Sequence, residues 1–343
     1  NVREIITNEA SYGEFTYHYT DEVDITLGIR NYNVEASAAM NSAFKLYDVF
    51  PVSDTDFNTD KGTLNKVNVS YRPSGKNQNY YFTSSEGYRR GGVNAVPTEG
   101  PLAEDAGWVP FESDTVKNIE FGVKGALADG TYYNLSYFMV DWDNPQLNTS
   151  TPVNGYYAVV NGDTAQINGF DVELSGSAGA IDWNVGYSNK NARLSSDFYT
   201  PADTPVLYAR SGAKLPGSPD HTFNLNLAHT SYFGKTDDIL SGMGMVNRLD
   251  LYAQSSTRNY IGDNSAYDAE FDGFNIINAS STIFNDDMYV SLFIKNLTNE
   301  RGTTGAFLNE AFGPQPSQGF YGSNSREFYA LPRTIGFSIS RGF

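Results

Sequence analysis

The sequence contains no cysteine, and it has no long run of apolar residues. The lack of cysteine excludes a disulfide framework of the kind that holds many small secreted domains together. No window approaches the roughly 18–20 continuous apolar residues that a membrane helix needs, which excludes a helical membrane protein. A membrane β-barrel stays open, because a strand that crosses a membrane shows alternation rather than a run.

Positive charge and histidine are also scarce. Lysine and arginine together number 23 against 40 acidic residues, which gives a net charge of −17. Such a chain repels phosphate backbones, so nucleic acid is not an expected partner. His18, His221 and His229 have no Ser-His-Asp context, and no metal-ligand pairs stand at regular spacing. The sequence therefore predicts that the protein is not an enzyme.

Alternation of apolar and polar residues recurs from one end of the chain to the other. In one segment Ile119, Phe121 and Val123 occupy one face, and Glu120 and Lys124 occupy the other. The segments run for about 9–12 residues, which matches a tilted membrane crossing and exceeds the soluble average of about 5–6. About thirteen strands are predicted, at 10–20, 23–31, 63–72, 79–88, 115–125, 131–142, 166–176, 181–190, 221–230, 245–255, 273–284, 288–298 and 333–343.

The connections between these segments alternate in length. Short turns are predicted at 20–22, 73–75, 128–130, 176–180 and 285–287, and a somewhat longer one at 231–244. Long loops are predicted at 32–62, 89–114, 143–165, 191–220, 256–272 and 299–332. A soluble sandwich does not predict such alternation, whereas outer-membrane barrels have short periplasmic turns and long extracellular loops. The fold prediction is an all-β, antiparallel transmembrane β-barrel.

The C-terminal strand supports this prediction. Ile335, Phe337, Ile339 and Phe343 share one face, and small residues share the other. An outward apolar row suits a strand that closes a barrel and leaves no edge in lipid. The same row resembles the signal that the barrel assembly machinery of the outer membrane reads.

Several motifs, taken in order along the chain, resemble those of one family, the TonB-dependent outer-membrane receptors. They are GYRRGGVN at 87–94, YFMVDW at 137–142, INGFDVE at 167–173, LPGSP at 215–219, KNLTN at 295–299 and LPRTIGF at 331–337. Members of this family have an N-terminal plug domain and a barrel of about 22 strands. The resemblance implies that residues 1–343 are the C-terminal portion of such a barrel, with the plug and the first strands preceding Asn1.

The resemblance also implies a function and a set of partners. The expected function is uptake of a scarce nutrient, a ferric siderophore or similar, by TonB-coupled active transport across the outer membrane of a Gram-negative bacterium. The expected partners are a TonB-type energy-transducing complex, outer-membrane lipid and lipopolysaccharide, the barrel assembly machinery and a small-molecule or glycan substrate. No resident cofactor is implied, and a ferric chelate would be cargo. Two alternatives stay open: a passive porin, and a secreted soluble β-rich protein that binds carbohydrate.

The resemblance places the ligand among the long loops and the lumenal residues beneath them. Aromatic side chains offer rigid contact area and arginine binds anionic groups with two hydrogen bonds, which selects the candidates. The alternative is that the arginines pair with lumenal acids, and that Trp142 and the tyrosine pair belong to an outer aromatic girdle. The candidates are Arg89, Arg90, Asn94, Trp108, Trp142, Tyr156, Tyr157, Phe320 and Tyr321.

One acidic segment has the alternating oxygen ligands of a calcium loop. Its candidate ligands are Asp54, Asp56, Asn58 and Asp60. The segment lacks the glycine and the closing glutamate of that motif, since Thr59 and Asn65 stand at those positions. A solvated acidic loop is the preferred interpretation, and no metal site is predicted.

Overall fold

The computed structural model describes residues 2–44, 49–99, 103–151, 156–201, 205–234, 242–261, 268–307 and 326–342. Regular structure in these ranges is almost entirely strand, with one short 3-10 helix at Ala106–Trp108. The strands are β1 (Val2–His18), β2 (Val23–Phe44), β3 (Val49–Tyr71), β4 (Gln78–Arg89), β5 (Gly92–Val93), β6 (Pro110–Phe111), β7 (Asp114–Ala126), β8 (Tyr132–Asp143), β9 (Gln146–Ser150), β10 (Tyr157–Asn161), β11 (Thr164–Ala178), β12 (Ile181–Leu194), β13 (Phe198–Tyr199), β14 (Leu207–Ala209), β15 (His221–Tyr232), β16 (Gly244–Gln254), β17 (Thr257–Arg258), β18 (Glu270–Phe271), β19 (Phe274–Phe284), β20 (Met288–Lys295), β21 (Thr303–Phe307), β22 (Arg326–Tyr329) and β23 (Thr334–Arg341).

Thirteen of these strands form one antiparallel sheet. Its order is β1-β2-β3-β4-β7-β8-β11-β12-β15-β16-β19-β20-β23, so each strand lies beside the sheet strand that precedes it in the chain. Each of the thirteen predicted segments overlaps one of these strands, which confirms the predicted fold class. The remaining strands form short two-stranded ribbons in the connections at one end of the sheet. We call this the long-loop end and the opposite end the short-turn end. Within the described ranges, no helix is long and apolar enough to cross a membrane.

The prediction of a long loop at 32–62 is wrong. β2 has 22 residues and β3 has 23, and the two pair antiparallel across most of that range. The missed signal is a change of face. Up to Ile29 the apolar members of β2 are odd-numbered, whereas beyond it Tyr32, Val34 and Ala36 are buried on the other face. β1 likewise begins at Val2 rather than at residue 10.

The two faces of the sheet differ in chemistry. Cross-strand pairing places Phe121, Tyr137 and Phe170 side by side on one face, where they are 50%, 45% and 39% exposed. Exposed aromatic rows of this kind mark the face that the sequence predicts to contact lipid, and we call it the outer face. The inner face carries polar residues at the same height, including Glu120 and Asp171.

Apolar residues change from the outer to the inner face near the long-loop end. On β8, Tyr137 and Met139 lie on the outer face, but further along the strand Trp142 lies on the inner one. The outer face at that height becomes a charged and polar row, because pairing aligns Lys117, Asp141, Gln166 and Arg193. This polar row marks the end of the apolar band on the outer face. At the same height the inner face becomes apolar, and its residues pack against the loops.

Aromatic rings lie flat over glycines on the inner face. A Cβ atom built on Gly122 would stand 2.3 Å from the Tyr81 ring, and one on Gly169 would stand 2.9 Å from the Phe138 ring. In each pair the two residues are direct cross-strand partners, and the ring fills the space that the glycine leaves. The pairs are Tyr81 with Gly122, Phe138 with Gly169, Phe284 with Gly244, and Phe293 with Gly336.

Glycines also shape the short-turn end. Gly75, Gly130 and Gly179 have φ of 73°, 87° and 63°, a region that glycine enters without steric cost. They lie in the turns between β3 and β4, β7 and β8, and β11 and β12. Side chains complete other turns: Asn285 accepts hydrogen bonds from the backbone amides of Asp287 and Met288 at 3.0 and 2.8 Å.

The last strand, β23, pairs with β20 from Thr334 to Arg341. Ile335, Phe337 and Ile339 lie on the outer face and are 66%, 75% and 65% exposed, on a strand at the edge of the sheet. Phe343 lies outside the described residues. Its part in an assembly signal stays a prediction.

Candidate ligand-binding site

The connections at the long-loop end pack together into one hydrophobic cluster. It joins four connections that are far apart in the chain, and it rests on inner-face residues of β11 and β12. Burying these side chains together fixes the positions of the loops and of the short ribbons within them. The cluster consists of Val96, Trp108, Leu147, Ala158, Val160, Ala165, Ala192, Leu194, Phe198, Ala209, Leu215 and Ile261.

Asn94 ties two of these connections together. Its Nδ2 donates to the carbonyl oxygens of Trp108 at 2.9 Å and Val159 at 2.6 Å. Its Oδ1 accepts from the Val159 amide at 2.8 Å. The buried Asn94 side chain thus replaces a missing strand partner for the β9–β10 ribbon.

Hydroxyl groups extend the same network. The Thr149 hydroxyl hydrogen-bonds the phenol of Tyr208 and lies 3.0 Å from that of Tyr260, so three connections meet at one buried side chain. The Thr151 hydroxyl donates to Glu104 at 2.7 Å. Burial and the charge of Glu104 raise the pKa of the Tyr156 phenol. This tyrosine therefore stays neutral and packs against the hydrophobic cluster.

A buried carboxylate fixes the root of the first of these connections. Asp114 is 1% exposed and accepts hydrogen bonds from Arg89, from the Trp142 indole at 2.9 Å, and from the backbone amide of Gln146 at 3.1 Å. The Arg89 guanidinium also lies 5.0 Å from the centre of the Trp142 ring. Arg89 and Asp114 therefore form a bidentate pair that orients Trp142.

A second carboxylate, Asp220, holds the root of the connection before β15. Arg193 donates to both its oxygens at 3.2 Å, and the Lys214 amine donates at 3.1 Å. Burial of Asp220 acts to raise the pKa of its carboxyl, but the bonds from Arg193 and Lys214 outweigh burial and leave that pKa below its ordinary value. The charged form of Asp220 is therefore the stable one at neutral pH.

A cavity of about 340 Å³ lies between the sheet and these loops. Inner-face residues of three strands form its floor, namely Trp142, Ile167, Lys190 and Ala192. Loop residues form its roof, and they supply apolar walls together with amide and hydroxyl groups. The roof residues are Gln146, Leu147, Asn148, Leu215, Pro216, Ser218, Asn259 and Ile261.

A larger recess, of about 690 Å³, lies on the inner face at the short-turn end. Lys76 and Asn77 of the β3–β4 turn line it, together with Lys124 and Tyr132 near the β7–β8 turn. The long loops do not cover this recess. The cavity beneath the loops is therefore the candidate site for a ligand that arrives from the long-loop end.

The structure places the predicted ligand residues in and around this loop assembly. Trp108 is 1% exposed and Asn94 is buried, so both hold the loops together and neither presents a surface to a ligand in this arrangement. Arg89 pairs with Asp114, as the structural alternative had it. Arg90 is half-buried, and its backbone carbonyl accepts a hydrogen bond from the side-chain Nε2 of Gln146 at 2.8 Å. Tyr157 is 60% exposed beside the half-buried Tyr156. Phe320 and Tyr321 lie outside the described residues.

The side chains of three of the four calcium-loop candidates, Asp54, Asp56 and Asn58, lie outside the described part of the chain. Residues 54–60 belong to β3 and not to a loop. Alternate residues of a strand stand about 6.6 Å apart, whereas calcium ligands surround one ion at about 2.3–2.6 Å. Asp60 has a buried Oδ2 without a hydrogen-bond partner, but no group of three or more His, Cys, Asp or Glu that could hold a metal ion occurs among the described residues.

Among the cavity residues, sequence reasoning identifies Trp142 as a candidate and misses the others, above all Lys190. This residue ends the predicted strand at 181–190, and strand pairing aligns it with Glu120, Phe138 and Gly169 on the inner face. The alternation of residues along the strand was enough to place Lys190 on the inner face. The roof of the cavity could not be predicted, because the loops come together through contacts that no periodic pattern encodes.

Comparisons with known proteins agree with this architecture. A family model described as TonB dependent receptor-like, beta-barrel matches residues 2–297. The pesticin receptor of Yersinia pestis is 27% identical over 129 residues, which are 38% of this chain and 18% of that receptor.

Two solved structures share the fold. The ferric yersiniabactin uptake receptor FyuA from Yersinia pestis has a TM-score of 0.76 at 19% identity, over 100% of this chain and 46% of that one. The ferric-catecholate import receptor Fiu from E. coli K12, in its closed form, has a TM-score of 0.69 at 18% identity, over 100% of this chain and 45% of that one. The chain thus spans under half the length of these relatives. Because the family model covers most of the sequence, the chain belongs to the TonB-dependent receptor-like β-barrel family, whose members are receptors of the Gram-negative outer membrane.

Proposed function

We propose that this chain forms the C-terminal part of the barrel of an outer-membrane receptor that takes up a scarce nutrient by TonB-coupled transport, with a ferric chelate as the expected cargo. The observation that carries the proposal is the roofed cavity at the long-loop end. Its walls combine apolar surface with a few polar groups, the composition of small-molecule sites. The relatives of known structure include receptors for ferric yersiniabactin and ferric catecholates, which supports this class of cargo.

The passive porin is the second candidate. A porin needs an open water-filled path, whereas here four connections pack into a buried cluster over the inner face. The loop assembly therefore favours capture over free diffusion. The soluble carbohydrate-binding alternative conflicts with the outer face, where rows of large apolar side chains are exposed.

Uptake of labelled ferric chelates by iron-starved cells tests the proposal. Uptake is compared between cells that express the whole receptor, cells without it, and cells that express it but lack the TonB-type energy transducer. We expect accumulation of at least one chelate to need both the receptor and the transducer. Receptor-dependent uptake that continues without the transducer would instead identify a passive channel.

A variant that lacks residues 195–220 links uptake to the site. This connection supplies Leu215, Pro216 and Ser218 to the roof of the cavity. We expect the deletion to abolish high-affinity uptake while the receptor still reaches the outer membrane, because loops tolerate deletion better than strands do. Unchanged uptake by a correctly assembled variant would remove this cavity from the binding site.

A further inference from the structure

The charge of the cavity is unusual for this protein. The chain carries 40 acidic residues, yet none of the residues that line the cavity is acidic. Lys190 is its one charged lining residue. The acids closest to it along the sheet are otherwise placed: Asp220 is held by Arg193 and Lys214, and Asp171 stands one inner-face row further from the loops, outside the lining.

The position of Lys190 leaves its amine available. The residue is half-buried, and its Nζ makes no salt bridge or hydrogen bond within the part of the chain that the structure describes. Its direct partner on β11 is Gly169, which the Phe138 ring covers, so this pair brings no charged side chain opposite Lys190. A half-buried ammonium without a counter-charge is costly, so the site favours a ligand that supplies one.

The remaining walls suit a flat, largely apolar group. Trp142 is held in one orientation by its bond to Asp114 and by the Arg89 guanidinium. Leu147, Ile167 and Ile261 complete the apolar surface, and the Asn148 amide adds polar contacts. A volume of about 340 Å³ is at the small end for ligand pockets, which admits a compact molecule and not a polymer.

We infer that Lys190 sets the charge selectivity of this cavity, so that the bound molecule presents an anionic oxygen group next to an aromatic or other flat apolar portion. The inference rests on the proposed function only for the location of the ligand. It goes further, because receptors of one fold can carry anionic, neutral or cationic cargo. Lys190 acts here as a specificity-determining residue, and its charge matters more than its length.

Three probes with one ring system and different charge test this inference. Naphthoate is anionic, naphthamide is neutral and naphthylmethylamine is cationic. Their affinities for the purified whole receptor in detergent are measured by calorimetry. A charge-assisted hydrogen bond predicts that the wild type binds naphthoate roughly tenfold more tightly than naphthamide, with the amine weakest.

Matched variants assign the effect to one residue. Lys190→Met should lose about tenfold in naphthoate affinity and leave naphthamide within about twofold, and Lys190→Arg should keep the preference. Lys124→Gln is the control, because Lys124 is an inner-face lysine at the other end of the sheet, 5.7 Å from the Tyr81 ring centre. The probe should quench tryptophan emission in the wild type. Loss of this quenching in Trp142→Phe shows that the probe binds in this cavity.

Two results would overturn the inference: a wild type without charge preference, or a preference that survives in Lys190→Met. These outcomes are separable from failure of the proposed function. Anion-selective binding in a receptor that imports no chelate would reject the transport proposal alone. Chelate uptake together with an unaltered preference in Lys190→Met would reject the role of Lys190 alone.

Discussion

At the scale of single residues, the inner face depends on positions where no side chain fits. Gly169 is the sharpest case, since a Cβ atom there would stand 2.1 Å from the carbonyl oxygen of Asn189 and 2.9 Å from the Phe138 ring. The ring can rotate away, but the backbone oxygen cannot move without disturbing the pairing of β11 with β12. The same glycine is the direct cross-strand partner of Lys190.

We predict that Gly169→Ala destabilises the receptor by about 1–3 kcal/mol, the usual cost of forcing an added group into a packed site. The change is measured as a shift in the urea concentration at which half of the receptor is unfolded. In unheated samples a folded outer-membrane barrel has a different gel mobility from the unfolded chain, so the folded band gives the folded fraction. Gly13→Ala is the control, because a Cβ atom at Gly13 meets nothing within 4 Å. Equal effects of the two substitutions would contradict the steric argument.

Single-residue roles were the least predictable part from sequence. The sequence predicts Arg89 as a ligand contact because arginine binds anions, but in the structure Arg89 pairs with Asp114. The pairing partner lies 25 residues further along the chain, and only the strand register brings the two together. Lys190 carries no signal in the sequence, because a single lysine at a strand end is ordinary and only the packing of the loops places it in a cavity.

At the scale of elements, each ribbon in the loops is too short to be stable alone. β9 and β10 pair over five residues, and Asn94 supplies additional bonds to the carbonyl and amide of Val159. The Asn94 side chain thus links its own connection to the β9–β10 ribbon by hydrogen bonds. If the Asn94 side chain is removed, three hydrogen bonds to the backbone of Trp108 and Val159 are lost together.

We predict that Asn94→Leu loosens the β9–β10 ribbon and the connection around Trp108 without unfolding the sheet. Each unsatisfied buried group costs about 1–3 kcal/mol, which exceeds what so short a ribbon contributes. Hydrogen exchange in the folded receptor should rise by more than tenfold in peptides covering 92–111 and 156–162, and remain unchanged in the sheet strands.

Asn148→Leu is the matched control for this measurement. Asn148 lies opposite Val159 in the same ribbon, but its side chain is exposed. The same amide-to-leucine exchange there should leave hydrogen exchange nearly unchanged. A comparable rise in both variants would show that polarity of the loops, and not the Asn94 side chain, keeps the ribbon ordered.

The strands were predictable because alternation is a local signal that lipid and lumen impose on every crossing. The signal weakened where the surroundings changed. Beyond Ile29 the buried members of β2 stand on the opposite face, so one periodic pattern seemed to end where the strand in fact continued. Loop structure was not predictable, since Thr149 meets Tyr208 and Tyr260 across separations of 59 and 111 residues.

At the scale of the whole molecule, the change of face defines where the apolar band ends. Below it, Tyr137 stands between Phe121 and Phe170 on the outer face. Above it, Gln166 donates to Asp141 at 2.9 Å within a polar row on the same face. The fold therefore specifies both the face and the height at which a charge is tolerated.

We predict that Tyr137→Arg destabilises the folded receptor in bilayers by about 2–4 kcal/mol, the cost of an arginine near the membrane midplane. Ser136→Arg places the same charge at the same height on the inner face, where Asp171 lies opposite on β11, and it should be tolerated. Gln166→Arg keeps the outer face but lies in the polar row beside Asp141, so its cost should fall to about 0–1 kcal/mol. Urea titration of the receptor in lipid vesicles measures all three.

If Ser136→Arg proved the most damaging, the two faces of the sheet would be assigned the wrong way round. If Gln166→Arg were as costly as Tyr137→Arg, the apolar band would extend further toward the loops than the change of face indicates.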